Sequence, residues 1–260
     1  MKFIEIAGCR LEYVRLPSAH PREGAPAIVF LHEGLGSVTM WRDFPQRVAD
    51  ATGCEAVVYS RLGYGRSDPA PPRDTRYMHR EGLEVLPAVI STLGLEKPLL
   101  FGHSDGGSIA LICAGGTDVP LAGVIVMAPH VMVEDVTIAG IEAAEVVWQT
   151  SDLRARLGKY HADAEAVFRA WNDIWRHPDF RGWNIEGFLP AIRVPVLAIQ
   201  GEDDEYATMD QIDRIAAGAP DVERVKLADC RHSPHKDQAG AVIESVQGFV
   251  SRLLDGEMAR

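Results

Sequence analysis

The chain lacks several features, and each absence closes off a class of function. It has no surplus of basic residues: 26 Lys and Arg stand against 37 Asp and Glu, a formal net charge of −11. Nucleic acid and anionic membrane surfaces both select a basic footprint, so neither is expected as the main partner. No run of about 18 apolar residues exists, so no membrane-spanning helix is expected. The first segment, MKFIEIAGCRLEYV, alternates apolar and polar residues and lacks the apolar stretch of a signal peptide. The four cysteines, Cys9, Cys54, Cys113 and Cys230, are far apart. That spacing excludes a CxxC redox pair or a zinc site and suits reduced thiols in a cytoplasmic protein. Repeats and low-complexity tracts are absent. What remains is an ordinary globular composition, 47% hydrophobic and 24% charged over 260 residues. A chain of this length buries a sizeable core without staples.

The order of elements specifies the fold class. Residues 2–16 read as a hairpin turning at Gly8. Short, nearly continuous apolar runs follow: Ala27–His32, Glu55–Ser60, Pro98–Phe101, Leu121–Ala128 and Pro195–Gln200. Runs of this kind suit strands buried on both faces. Helical stretches alternate with them, at about Met40–Thr52, Tyr77–Leu93, Ser108–Ala114 and Asp210–Ala217. A last strand, Val222–Leu227, precedes a closing helix, Asp237–Leu254. This alternation predicts an α/β chain with a doubly wound, mostly parallel sheet. Ligands bind such sheets at the carboxyl ends of the strands.

Residues 134–192 break the alternation. They hold no convincing strand but four of the five tryptophans: Trp148, Trp171, Trp175 and Trp183. Phe168, Trp171 and Trp175 fall on one helix face. The expectation is a helical cap, 134–192, inserted into a core of residues 1–133 and 193–260. It should sit over the strand ends, with at least one tryptophan on a ligand pocket.

The chemistry concentrates in a few loops. Gly102-His103-Ser104-Asp105-Gly106-Gly107 contains G-x-S-x-G, with an apolar strand before it and a helix after it. A serine there sits on a sharp turn that tolerates only small neighbours, with its hydroxyl exposed and a helix N-terminus beneath it. Ser104 is therefore the candidate nucleophile. A serine at neutral pH needs a base, and the base needs an orienting acid, in the chain order Ser, acid, His. Gly201-Glu202-Asp203-Asp204-Glu205 follows a late strand, and the G-x-x-D spacing favours Asp204 over Asp203. The loop after the last strand carries His232 and His235; His232 comes first and is the candidate base. The gaps are 204 − 104 = 100 residues, which holds the cap, and 232 − 204 = 28, which fits one helix and one strand. Acyl transfer also needs an oxyanion hole. Its donors are expected from the backbone N–H of Asp105 and of Gly34, with Leu35 as the fallback. Trp41, His130, Trp148, Trp175, Tyr206 and Leu35 are candidate pocket residues.

Together, HEGLGS at 32–37, SRLGYGRSD at 60–68, GHSDGG at 102–107, QGEDD at 200–204 and RHSPH at 231–235 make the chain resemble the α/β-hydrolase superfamily. The likeness is to capped serine hydrolases with a helical lid between the sixth and seventh strands. It implies a Ser104–Asp204–His232 triad, an acyl-enzyme mechanism on a small carboxylic ester or thioester, and no metal or organic cofactor. Two positions depart from the pattern: Glu33, where many relatives have glycine, and Asp105, where many have a neutral residue. Their carboxylates either lie near substrate or are tied up by Arg61, Arg66 or His79. If they lie near it, they favour a neutral or apolar acyl part. Carbon–carbon hydrolysis of ring-fission diketones is the alternative, and lactonase or aminopeptidase chemistry a third. A non-catalytic ligand receptor is a remote fourth. Oligomeric state is not specified by the pattern.

Overall fold

The computed structural model describes residues 1–256. Residues 257–260 of the expected core lie outside the described residues. Eight strands form one sheet: β1 (Lys2–Ile6), β2 (Cys9–Leu16), β3 (Ile28–Leu31), β4 (Ala56–Tyr59), β5 (Leu99–His103), β6 (Gly123–Met127), β7 (Val196–Gly201) and β8 (Val222–Leu227). Their order is β1-β2-β4-β3-β5-β6-β7-β8. The first hairpin is antiparallel and joins β4 antiparallel; every other pairing is parallel.

The strands from β3 to β7 are buried along their whole length, which is why they read as unbroken apolar runs. Alternate side chains feed two cores. Ile28, Phe30 and Phe101 pack with α1 (Phe44–Thr52) on one face. Val29, Leu31 and Leu100 pack on the other, with α2 (Tyr77–Arg80), a π-turn (Glu81–Val85), α3 (Leu86–Thr92) and α4 (Asp105–Gly116).

Two predicted helices are interrupted. The stretch from Met40 divides into a 3₁₀ turn, Val38–Trp41, and α1, because Arg42 takes a left-handed φ of 55°. The Tyr77–Leu93 helix passes through the π-turn at Gly82. A β-carbon at Gly82 would stand 2.8 Å from Ile112 Cγ2 and 2.9 Å from the Ile109 carbonyl, so glycine lets this turn lie against α4.

Between β6 and β7 come α5 (Asp135–Thr150), α6 (Leu153–Leu157), α7 (Ala164–Trp175) and 3₁₀ turns at Pro178–Phe180 and Glu186–Ala191. The one extended contact here is an isolated bridge, Met132 to Asn184. The chain then completes β7, α8 (Asp210–Gly218), β8, α9 (Pro234–Asp237) and α10 (Ala239–Leu254), which packs on the same face as α1. No helix among the described residues is long and apolar enough to cross a membrane.

Candidate active site

Ser104 links β5 to α4 with φ 52° and ψ −118°, a left-handed φ that the surrounding packing imposes. The turn is this tight because the backbones touch. A β-carbon at Gly102 would lie 2.1 Å from the Gly106 carbonyl oxygen, and one at Gly106 would lie 2.1 Å from the Leu31 oxygen. The glycines of G-x-S-x-G are thus a steric requirement of the fold.

The remaining loops converge on this serine. His232, after β8, places Nε2 3.0 Å from Ser104 Oγ. Its Nδ1 lies 2.8 and 2.9 Å from the two carboxylate oxygens of Asp204. Asp204 also accepts from Gln200 Nε2 at 3.0 Å and the Tyr206 N–H at 2.8 Å. Asp203 is exposed and takes no part. His235 packs in the core against His103, Trp41 and Phe44, away from the serine.

The electrostatics separate one histidine from its neighbours. Burial by itself lowers the His232 pKa, but the Asp204 carboxylate outweighs it, helped by Glu205 and Glu33, and the net shift is upward. Asp204 moves the other way: the His232 pair and the Tyr206 N–H overcome burial and hold its pKa below the usual carboxylate value. Burial drives His103 well down, His130 to about 4 and His235 to about 3. These three rings stay neutral, so His232 is the one titrating imidazole beside the serine.

The two expected oxyanion donors have no acceptor among the described residues: neither the Gly34 nor the Asp105 N–H is bonded. The Leu35 N–H, the fallback donor, is committed to the Glu33 carboxylate. The Gly34 carbonyl accepts from Tyr64 Oη at 2.8 Å. From the loop between α6 and α7, His161 Nε2 bonds the Leu35 carbonyl at 2.9 Å while its Nδ1 accepts from the Gly65 N–H, which fixes the tautomer.

A cavity of about 280 Å³ opens over Ser104. Its floor comes from the loops after the strands and from α9: Glu33, Gly34, Leu35, His130, Tyr206, His232 and Lys236. Its roof comes from α5, α6 and α7: Ile141, Leu153, Leu157, Trp171 and Trp175. Of the six candidate pocket residues, Leu35, His130, Trp175 and Tyr206 line this space, and two do not. Trp41 lies in the core beneath the loop, 5.4 Å from the Phe30 ring and 6.0 Å from Phe44. Its ring faces the sheet, against Phe30 of β3 and Phe101 of β5. Trp148 stacks on Phe168 at 4.2 Å, where α5 meets α7. Trp171 and Lys236 were not among the candidates. The i, i+4 spacing of Trp171 and Trp175 was the available signal for the first; nothing local marked Lys236.

The two unusual carboxylates have different fates. Asp105 is fully buried, bonded by Tyr77 Oη at 2.8 Å and paired with Arg61 at 3.5 Å. Of the candidate partners, Arg61 is the one that engages it. Glu33 lines the cavity, and burial raises its pKa.

A parallel sheet, a strained serine between strand and helix, and late acid and histidine loops define an α/β-hydrolase fold. A model described as the alpha/beta hydrolase family matches residues 28–245, and the chain belongs to that family. A 2-hydroxy-6-oxononadienedioate/2-hydroxy-6-oxononatrienedioate hydrolase of Comamonas testosteroni is 22% identical over 267 residues, 92% of either chain. A proline iminopeptidase of Lactobacillus delbrueckii subsp. lactis is 34% identical over 86 residues, 33% of this chain and 29% of its own. Among solved structures, proline iminopeptidase of Mycobacterium smegmatis superposes with a TM-score of 0.76 at 19% identity, covering 97% of this chain and 98% of the other. The enol-lactonase of Burkholderia xenovorans LB400 gives 0.74 at 20% identity, covering 96% and 100%.

Proposed function

We propose that the protein is a serine hydrolase acting on a small carboxylic ester or thioester through an acyl-enzyme. One observation carries this reading: His232 reaches the Ser104 hydroxyl with one ring nitrogen and the Asp204 carboxylate with the other. A neutral imidazole held by a carboxylate carries its proton on Nδ1 and leaves Nε2 as the base. Ser104 Oγ attacks the carbonyl carbon as His232 takes its proton. The oxyanion forms against the Gly34 and Asp105 N–H groups. His232 then returns the proton to the leaving oxygen or sulfur, and the acyl-enzyme remains. A water deprotonated by the same Nε2 attacks the ester carbon, and Ser104 leaves with the proton. The chemistry needs no metal or organic cofactor.

The cavity size and its apolar roof support a short, neutral acyl group. Asp105 no longer contributes to that argument, since its charge is paired below the site. Glu33 still does, because it lines the cavity, where its carboxylate also accepts the Leu35 N–H.

Carbon–carbon hydrolysis of a ring-fission diketone is the second reading. It is favoured by the length of the match to the Comamonas testosteroni hydrolase, whose named substrate is a hydroxy-oxo acid. That chemistry draws on the same triad.

The test is hydrolysis of p-nitrophenyl esters from acetyl to decanoyl by the wild type and Ser104→Ala. Turnover that favours short chains and vanishes in the variant is the expected result. A preference for carboxylate-bearing esters in a full panel overturns the neutral acyl part. Labelling of Ser104 by a fluorophosphonate without ester turnover moves the assignment to the diketone. No labelling and no turnover removes the catalytic reading.

A further inference from the structure

Beneath the site lies a charged group that the triad chemistry does not use. Arg61 follows β4 and is 1% exposed. Its Nε and Nη1 are buried with no hydrogen-bond partner among the described residues. Its Nη2 alone meets protein acceptors, and there are two. It donates to the Glu33 carbonyl at 3.0 Å and lies 3.5 Å from Asp105 Oδ2.

These two acceptors belong to the two arms of the oxyanion hole. The Glu33 carbonyl and the Gly34 N–H are opposite ends of one planar trans peptide, so holding the oxygen aims the N–H the other way. The Glu33 oxygen is held a second time, by His32 Nδ1 at 2.7 Å. His32 Nε2 accepts from the Arg61 backbone N–H at 3.1 Å, so the ring proton resides on Nδ1 and is donated to that oxygen. The second acceptor, the Asp105 carboxylate, is carried by the residue whose own N–H is the other arm.

The network continues into the cap. Tyr77 Oη donates to Asp105 and accepts from Trp175 Nε1 at 3.2 Å. The direction is forced, because an indole only donates and a carboxylate only accepts. Trp175 closes α7 and lines the cavity.

We propose that Arg61 is a positioning residue for the oxyanion hole, setting the aim of both donors through the Glu33 carbonyl and the Asp105 carboxylate, with Tyr77 tying this array to the cap at Trp175. The inference rests on the acyl-enzyme reading above. A buried Arg–Asp pair is a poor source of stability, and apolar residues of equal volume commonly serve as well. The aim of two N–H groups is something apolar residues cannot supply. A positive charge on the Glu33 carbonyl also polarises its peptide and makes the Gly34 N–H a stronger donor.

The test compares Arg61→Lys and Tyr77→Phe with the wild type and Ser104→Ala. Each is assayed for kcat and KM on the best p-nitrophenyl ester and for inhibition by an alkyl trifluoromethyl ketone. That ketone adds Ser104 Oγ to its carbonyl carbon and leaves a tetrahedral oxyanion in the hole. A lysine ammonium is a compact point charge and cannot reproduce the guanidinium's reach. For Arg61→Lys, kcat should fall by about 10²-fold, the scale of a lost oxyanion donor. KM should stay within about twofold, since only transition-state binding is affected. Affinity for the ketone should fall by the same factor as kcat, and Tyr77→Phe should move both in the same direction by less.

Wild-type kcat and ketone affinity in Arg61→Lys, with Ser104→Ala inactive, overturn the inference and leave the acyl-enzyme reading standing. So does a loss confined to KM. If circular dichroism shows Arg61→Lys unfolded, Tyr77→Phe decides, and wild-type values there overturn the proposal. Turnover that survives in Ser104→Ala defeats the acyl-enzyme reading and the inference with it.

Discussion

Trp171 of α7 presses on Gly34 of the loop after β3: a β-carbon on Gly34 would stand 2.2 Å from Trp171 Cδ1 and 2.3 Å from its Nε1. An indole ring is not the loose end of a flexible chain, so Gly34→Ala must displace either α7 or the loop after β3. Overpacking of this kind costs about 1–3 kcal/mol. A thermal melt of Gly34→Ala should show that loss, and ester turnover should fall more steeply than stability does. Wild-type turnover in this variant would mean that Gly34 and Trp171 do not meet in solution.

The orienting acid can be separated from its neighbour by charge-neutral substitution. Asp204→Asn offers His232 an amide and disfavours the tautomer that leaves Nε2 free. The expected loss in kcat is about 10⁴-fold, as for the equivalent change in other triads. Asp203→Asn, at an exposed carboxylate, should leave kcat unchanged. Equal effects from the two variants would reject the assignment.

The pH profile follows from the charges around His232. Its pKa lies above the ordinary 6.5, because Asp204, Glu205 and Glu33 outweigh burial. The base is the neutral ring, so activity is present above that raised pKa and is lost as pH falls through it. The acid limb of kcat/KM should therefore have its midpoint above 6.5. Glu205→Gln removes one of the raising charges and should shift the midpoint to lower pH. A shift to higher pH would show that Glu205 acts on the ring in some other way.

Two cap tryptophans should part company on truncation. Trp148 stacks on Phe168 inside the cap and does not line the cavity. Trp148→Ala should cost about 3–5 kcal/mol, the range for large aromatics cut from a core. Its optimum acyl chain length should stay put. Trp171→Ala opens the cavity roof and should move that optimum to longer chains. Chain-length profiles of the purified variants decide this, and a longer optimum in Trp148→Ala would contradict the placement.

Ser104, Asp204 and His232, which the structure brings together, were legible as candidates because their constraints are local. G-x-S-x-G is written by backbone contacts at Gly102 and Gly106 that no larger residue survives. The acid and the histidine follow strands whose apolar runs mark them as buried on both faces, and the order of those strands places both loops at one edge of the sheet. The alternation of runs and helices was enough for the fold, and the strandless stretch rich in tryptophan matches the helices α5 to α7 between β6 and β7.

The walls of the cavity were decided by tertiary structure. Trp41 and Trp148 are large and aromatic, yet both turn inward, while Trp171 turns toward Gly34. Which way a tryptophan faces depends on how its helix rotates against another, and that rotation is set by contacts distant in the chain. The same holds for the carboxylates. Asp105 and Glu33 look alike in sequence, but Arg61, 44 positions away from Asp105 (105 − 61 = 44), neutralises one and leaves the other on the cavity. Chain order and local sterics determine which groups can do chemistry. Long-range packing determines what those groups face, because charge pairing and side-chain direction belong to the assembled core.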